Sequence, residues 1–162
     1  MSYTNADGVY VLTGVDQGAV RPNGTTDEAV RRTLVIDIDF TQIPTTVTSA
    51  NINPLDAFIP ANSIITNATL VMTTAAASGG AATLDIGTYT SSATAVAATG
   101  ILAASALSTV NTQYAVVRPA GTLVSGAVTT GTAPVYVVPK YNTAAFTAGA
   151  GKLFIQYIVT GI

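Results

Sequence analysis

The chain has 162 residues, a formal net charge of −2, and neither cysteine nor histidine. Those two zeros exclude a disulfide framework, the commonest zinc ligands, any Ser or Cys triad that needs an imidazole, and the usual near-neutral general base. Only 9% of the residues are charged, against roughly 25% in an ordinary globular domain, and so thin a set of Lys and Arg argues against nucleic acid as a partner.

A chain of this length suits one domain with a core of its own. Ala and Thr make up a third of it, while Lys and Glu are reduced to Lys140, Lys152 and Glu28. Thr and Val favour pleated, half-buried surfaces, and a helical protein would draw on Leu, Glu, Lys and Arg. The expected class is all-β: an antiparallel β-sandwich or jelly roll, residues 29–162, behind an extended N-terminal arm, residues 1–28.

The arm is polar, glycine-bearing and weakly patterned. Residues 1–7 carry no basic n-region and no apolar h-region, which predicts synthesis in the cytoplasm without export. Residues 9–13 form a short strand candidate, and Arg21, Pro22, Asn23 and Gly24 a turn-rich break. In residues 34–40 (LVIDIDF), Leu34, Ile36, Ile38 and Phe40 alternate with positions that include Asp37 and Asp39. A period of two with carboxylates on the other face predicts a strand with one buried and one wet side. Residues 53–58 (NPLDAF) can make one helical turn, with Asn53 as N-cap and Pro54 at the first helical position.

The next strand, residues 64–73, places Ile64, Ala68, Leu70 and Met72 on one face. Ser78, Gly79 and Gly80 then read as a hairpin connection. Residues 82–88 repeat the alternation, with Ala82, Leu84 and Ile86 on one side and Thr83 and Asp85 on the other. The uncharged run 86–117 raises the mean hydropathy to +0.49, but it is mostly Ala, Ser and Thr broken by Gly87 and Gly100. It holds too few large apolar residues to prefer hydrocarbon, so no membrane association is expected. Shorter strand candidates are 114–117, 121–124 and 135–138. Near the C-terminus Leu153, Ile155, Tyr157 and Val159 line one face, and Phe154, Gln156 and Ile158 the other, as in a central or doubly covered strand. Pro54, Pro60, Pro119, Pro134 and Pro139 fall at strand edges, where a missing N–H does no harm.

Few residues offer chemistry. Asp37 and Asp39 stand about 7 Å apart along a strand, a spacing open to a carboxylate pair or two calcium ligands. Glycosidase carboxylates, however, face each other across a substrate, and no EF-hand spacing is present, so the two Asp read as a solvated strand face that discourages edge pairing. Asp27, Glu28, Arg31 and Arg32 form the one charge cluster, either a docking site built on Arg forks or a salt-linked strand entry. Tyr3, Tyr10 and Arg21 join Arg31 and Arg32 as candidate partner contacts, since Tyr and Arg are enriched at interfaces. The Gly149–Lys152 stretch lacks the spacing and the helix of a phosphate loop. No Ser-x-x-Lys supplies a serine base. No catalytic, cofactor or metal site is expected. A surface this poor in ions, built from small residues, predicts burial against other subunits.

The segment 53–88 (NPLDAFIPANSIITNATLVMTTAAASGGAATLDIGT), with the preceding LVIDIDF and the closing FTAGAGKLFIQYIVT, resembles a block of small structural proteins of tailed bacteriophages. The likeness spans most of residues 30–160. It departs after Ile86, where Gly87, Thr88 and Tyr89 carry no acidic group, and in the Ala/Thr-rich insert through Ser108. The resemblance implies a virion component with a β-sandwich fold. The expected role is a capsid decoration (cement) protein, a homotrimer bound to the major capsid protein on the outside of the head. The alternative is a head or tail fibre or receptor-binding module.

Overall fold

The computed structural model describes residues 2–4, 10–12, 31–52, 57–124 and 129–160. Ten strands lie among them: β1 (Ser2–Thr4), β2 (Tyr10–Leu12), β3 (Arg31–Asp39), β4 (Phe58–Ile59), β5 (Ser63–Ser78), β6 (Thr83–Tyr89), β7 (Ala95–Ala106), β8 (Val116–Val117), β9 (Val135–Asn142) and β10 (Phe146–Val159). The helical content is a 3-10 turn at Ser49–Asn51 and one α-turn, α1 (Leu107–Val110). All strand pairs are antiparallel, in two four-stranded sheets ordered β3-β10-β5-β8 and β4-β9-β6-β7. The sandwich is therefore the architecture that the alternation called for. Within the arm, β1 and β2 pair with each other and join neither sheet.

The inner faces meet in one core. β3 contributes Ile38, with Phe40 just past its end, β5 Ile65, Leu70 and Met72, and β10 Leu153 and Ile155. The second sheet answers with Ile59, Leu84, Ile86, Ile101, Val135 and Val137. Fully burying each such side chain is worth about 1.5–3 kcal/mol. At one end the Phe40 and Phe146 rings meet edge to face, with centroids 5.1 Å apart. Gly149 lies beneath them at φ +130, where an added Cβ would stand 2.8 Å from the Ala76 Cα.

In β10 the inward set Leu153, Ile155 and Tyr157 is buried as expected, and the strand is central between β3 and β5. Bulges change other expectations. In β5 the pairs Ile65↔Tyr157 and Asn67↔Gln156 leave Thr66 without a partner, and its hydroxyl donates to the Gln156 carbonyl instead. This extra residue reverses the phase, so Ile65 and not Ile64 enters the core. The Ser78–Gly80 connection is not a hairpin either, because β5 and β6 belong to different sheets and the chain crosses the sandwich there. Residues 121–124 form a turn and not a strand; Gly121 and Leu123 donate to the carbonyls of Ile101 and Gly100. The candidates 9–13 and 114–117 shorten to β2 and β8. The helical turn expected at 53–58 lies mostly outside the described residues, and Phe58 belongs to β4.

β9 is longer than expected and runs through Pro139. Its outer edge takes Val137 N–H to the Ala57 carbonyl and Tyr141 N–H to the Pro44 carbonyl. Pro139 falls between these two, so its missing N–H is one that would have pointed away from β6.

The Ala/Thr-rich stretch yields a strand that alternation did not reveal. β7 pairs Leu102 with Ile86 and Ala97 with Thr88, so residues 98–101 oppose Gly87 alone. The excursion lies over the outer face of β6, where an added Gly87 Cβ would stand 2.2 Å from the Ala98 carbonyl oxygen. β6 is thereby buried on both faces, and Asp85, expected on a wet side, is 4% exposed.

Candidate functional site

The outer face of the β3-β10-β5-β8 sheet carries the accessible side chains most suited to recognition. Strand register aligns Asp37, Lys152, Val71 and Val116 in one row across the four strands, and Val35, Phe154 and Thr69 in the next. Val35 is 47% exposed and Val116 57%. At the β8 edge Tyr114 is 74% exposed, and Arg118 is exposed two residues beyond Val116. Tyr114, Val116 and Arg118 thus form a stripe at every second position. Apolar area flanked by Tyr and Arg is the composition of interface centres.

The backbone holds Tyr114 in place. Its φ is 64, in the left-handed region that a bulky residue rarely adopts. Tyr114 N–H donates to the Met72 carbonyl at 2.8 Å, Met72 N–H to the Ala115 carbonyl at 2.9 Å, and the Gln113 side-chain amide to the Thr73 carbonyl at 3.1 Å. A strained backbone pinned by three bonds fixes the point from which the ring leaves the surface.

The two aspartates singled out on β3 do not converge on a common point. Asp37 lies opposite Lys152 and accepts a hydrogen bond from its ammonium. Asp39 accepts from the Thr41 backbone N–H at 2.9 Å and from the Thr41 hydroxyl at 2.7 Å. Both partners of the Asp37–Lys152 pair are well exposed, so it adds under about 1 kcal/mol of stability. Its role is to set charge on the face.

Asp85 sits in a different setting. Its carboxylate accepts from the Ala104 backbone N–H at 2.6 Å and from the Asn142 side-chain amide at 2.6 Å, with Lys140 Nζ at 3.4 Å. Burial pushes the Asp85 pKa up, but the bonds from Asn142 and Ala104 and the Lys140 charge outweigh it and hold the group below its ordinary value. Nearby, burial and then the Asp85 charge raise the Tyr89 phenol above its ordinary value. All the carboxylate's partners belong to the fold, so Asp85 anchors β7 and β9 to β6. Among the described residues no group of three or more His, Cys, Asp or Glu is placed to hold a metal, and no helix is long and apolar enough to cross a membrane.

Of the candidate contacts read from the sequence, Arg32 is exposed on β3. Arg31 starts the same strand, and Tyr3 and Tyr10 lie in β1 and β2 in register with Val11 and Thr4; for these three only the backbone is described. Arg21, Asp27 and Glu28 lie outside the described residues. Tyr114, Val116 and Arg118 were missed as contacts. Their spacing in YAVVR was visible, but their exposure follows from β8 being an edge strand of two residues.

No family model matches the sequence, and no curated protein matches it. Solved structures do. A chain in the capsid of Ralstonia phage GP4 is 19% identical and superimposes with a TM-score of 0.54, covering 94% of this chain and 93% of that one. A chain in the acid-stable capsid of the Helicobacter pylori bacteriophage KHP30 is 13% identical with a TM-score of 0.54, covering 82% and 90%. These likenesses establish a shared fold. Because each covers nearly all of both molecules, the matched chains are of about this chain's length.

Proposed function

We propose that the chain is a structural protein of a bacteriophage virion, specifically a decoration (cement) protein on the outside of the assembled head. The observation that supports the virion part of this reading is the match of the sandwich, over 94% and 82% of the chain, to chains in two phage capsids. The surface supports it. Few ions need desolvating, and Tyr114, Val116 and Arg118 stand exposed together at the β8 edge. Within this reading the sandwich assembles as a homotrimer and bridges neighbouring major capsid proteins. Binding only to the closed shell, it stabilises that shell by mass action. The arm, residues 1–28, reaches over adjacent subunits through Tyr3, Tyr10 and Arg21, with Arg31 and Arg32 at its root. No catalytic step belongs to this role. Synthesis takes place in the host cytoplasm, and the working location is the capsid surface.

Quantitative gel analysis of purified particles tests the role: a copy number comparable to that of the shell subunit supports decoration, and a handful of copies per particle points to a fibre. Heads lacking the protein provide the second assay. A chain without residues 1–28 is expected to lose occupancy on such heads while the sandwich stays folded; unchanged occupancy removes the arm from the mechanism. Tyr114→Ala is expected to weaken attachment about tenfold, roughly 1.4 kcal/mol, with no change in Tm because the ring is mostly in solvent. Equal affinity of this variant and the wild-type chain would take the β8 stripe out of the contact.

A further inference from the structure

Among the described residues β3 is an edge strand of nine residues whose one strand partner is β10. Its pairing runs unbroken from Ile158↔Arg31 to Ala150↔Asp39. Proteins blunt such edges with proline, a bulge or charged side chains, lysine above all; β3 has no proline, lysine or bulge, and the charges expected to discourage pairing are ordered so that a second copy complements them. Charge is instead segregated along it, with Arg31 and Arg32 at the start and Asp37 and Asp39 at the end. We infer that β3 pairs antiparallel with β3 of a second copy of this chain, about a two-fold axis through Val35, which joins two four-stranded sheets into one of eight.

The full-length register of that pairing sets Arg31 opposite Asp39 and Thr33 opposite Asp37 of the second copy. Val35 meets Val35 at the axis, and Leu34 meets Ile36 on the inward side. Opposite charges across antiparallel strands attract, whereas a parallel arrangement would set Arg against Arg and Asp against Asp. Val35 is one of the few large apolar side chains left exposed, and the axis would cover it. Beside the same edge the sandwich opens into two adjoining recesses of about 310 and 470 Å³, both lined by Ile36, Asp37, Asn51 and Pro139. They provide room for the inward Leu34 and Ile36 of the incoming strand, positions only half-buried in the single chain. A two-fold contact of this kind is isologous and closes on itself, so it does not propagate into a fibre. The inference is independent of the virion reading.

The test is the mass of the full chain in solution, by sedimentation or light scattering over a wide concentration range. Val35→Lys places two lysines against each other at the axis, on a side chain that faces solvent in the single chain. The wild-type chain is expected to have twice the mass of the Val35→Lys species: a dimer against a monomer, or a hexamer against a trimer, the latter closing because the three two-fold axes meet the trimer axis. Val35→Glu is expected to behave like Val35→Lys. An equimolar mixture of the two is expected to regain the doubled mass, because Lys then faces Glu. Equal masses of wild type and Val35→Lys, an odd-numbered wild-type assembly, or a mixture that stays at the single-variant mass would each overturn the proposal. Should either variant fail to give the wild-type circular dichroism spectrum, the double reversal Arg31→Asp with Asp39→Arg serves in its place. It preserves complementarity and is expected to keep the doubled mass, while Arg31→Asp alone loses it.

Discussion

Asp85→Ala is expected to cost about 3–5 kcal/mol of folding stability, measured by urea unfolding at neutral pH. The carboxylate is 4% exposed and its removal strands three donors: the Ala104 N–H, the Asn142 amide and the Lys140 ammonium. Lys140 can turn toward water, whereas the Ala104 N–H is held at Asp85 by a backbone bulge, with Ala104 at φ 44. Loss of β7 from the sheet edge is the expected structural consequence. The pH dependence follows from the direction of the shift. The folded-state pKa lies below the ordinary value of 3.8, so the contribution is fully present well above that value. It is lost as the pH falls through the lowered folded-state value. Asp85→Asn keeps the shape and one acceptor without the charge, so its deficit against wild type should narrow on acidification. A deficit that stays constant from neutral pH to pH 3 would show that the ionised carboxylate is not what holds β7.

Gly87→Ala is expected to destabilise by about 3 kcal/mol or more, the upper end of overpacking costs. The new methyl would meet the Ala98 carbonyl oxygen at 2.2 Å and its carbon at 2.4 Å. Both are backbone atoms, and a rotamer change cannot move them. The 98–101 excursion would have to lift off β6, exposing the polar cluster beneath. Gly79→Ala provides the control: nothing lies within 4 Å of its would-be Cβ, so thermal unfolding of that variant should match wild type to within a degree or two. Comparable losses at both positions would contradict the close approach at Gly87.

Both predictions concern the part of the chain where sequence reasoning was weakest. Residues 82–88 show the same alternation as 34–40, yet 34–40 has a wet outer face and 82–88 does not. The difference is β7, whose AVAATGILAASA sequence carries no period because four of its residues leave the ladder together. The same cause explains Ile64 and Ile65: a single bulged Thr66 reverses the phase of a strand whose composition is otherwise clear. Of the candidate surface, Tyr114 and Arg118 were legible as residue types and not as exposed ones. Nothing local tells that β8 ends after two residues or that its preceding loop is pinned to Met72.

From its sequence alone this protein is an all-β chain with Ile38 and Phe40, Leu84 and Ile86, and Leu153 and Ile155 turned inward. It also carries neither histidine nor cysteine, and only 9% of its residues are charged. Those properties are local, since a pleated strand assigns neighbours to opposite faces whatever it later packs against. Sheet membership, the burial of Asp85 and the free edge of β3 emerge only in the folded molecule. Asp85 meets a donor 19 residues away and another 57 residues away. The open side of β3 is set, among the described residues, by which strands do not reach it. Contacts between distant segments and the vacancies they leave have no period in the chain, so only the packed sandwich reveals them.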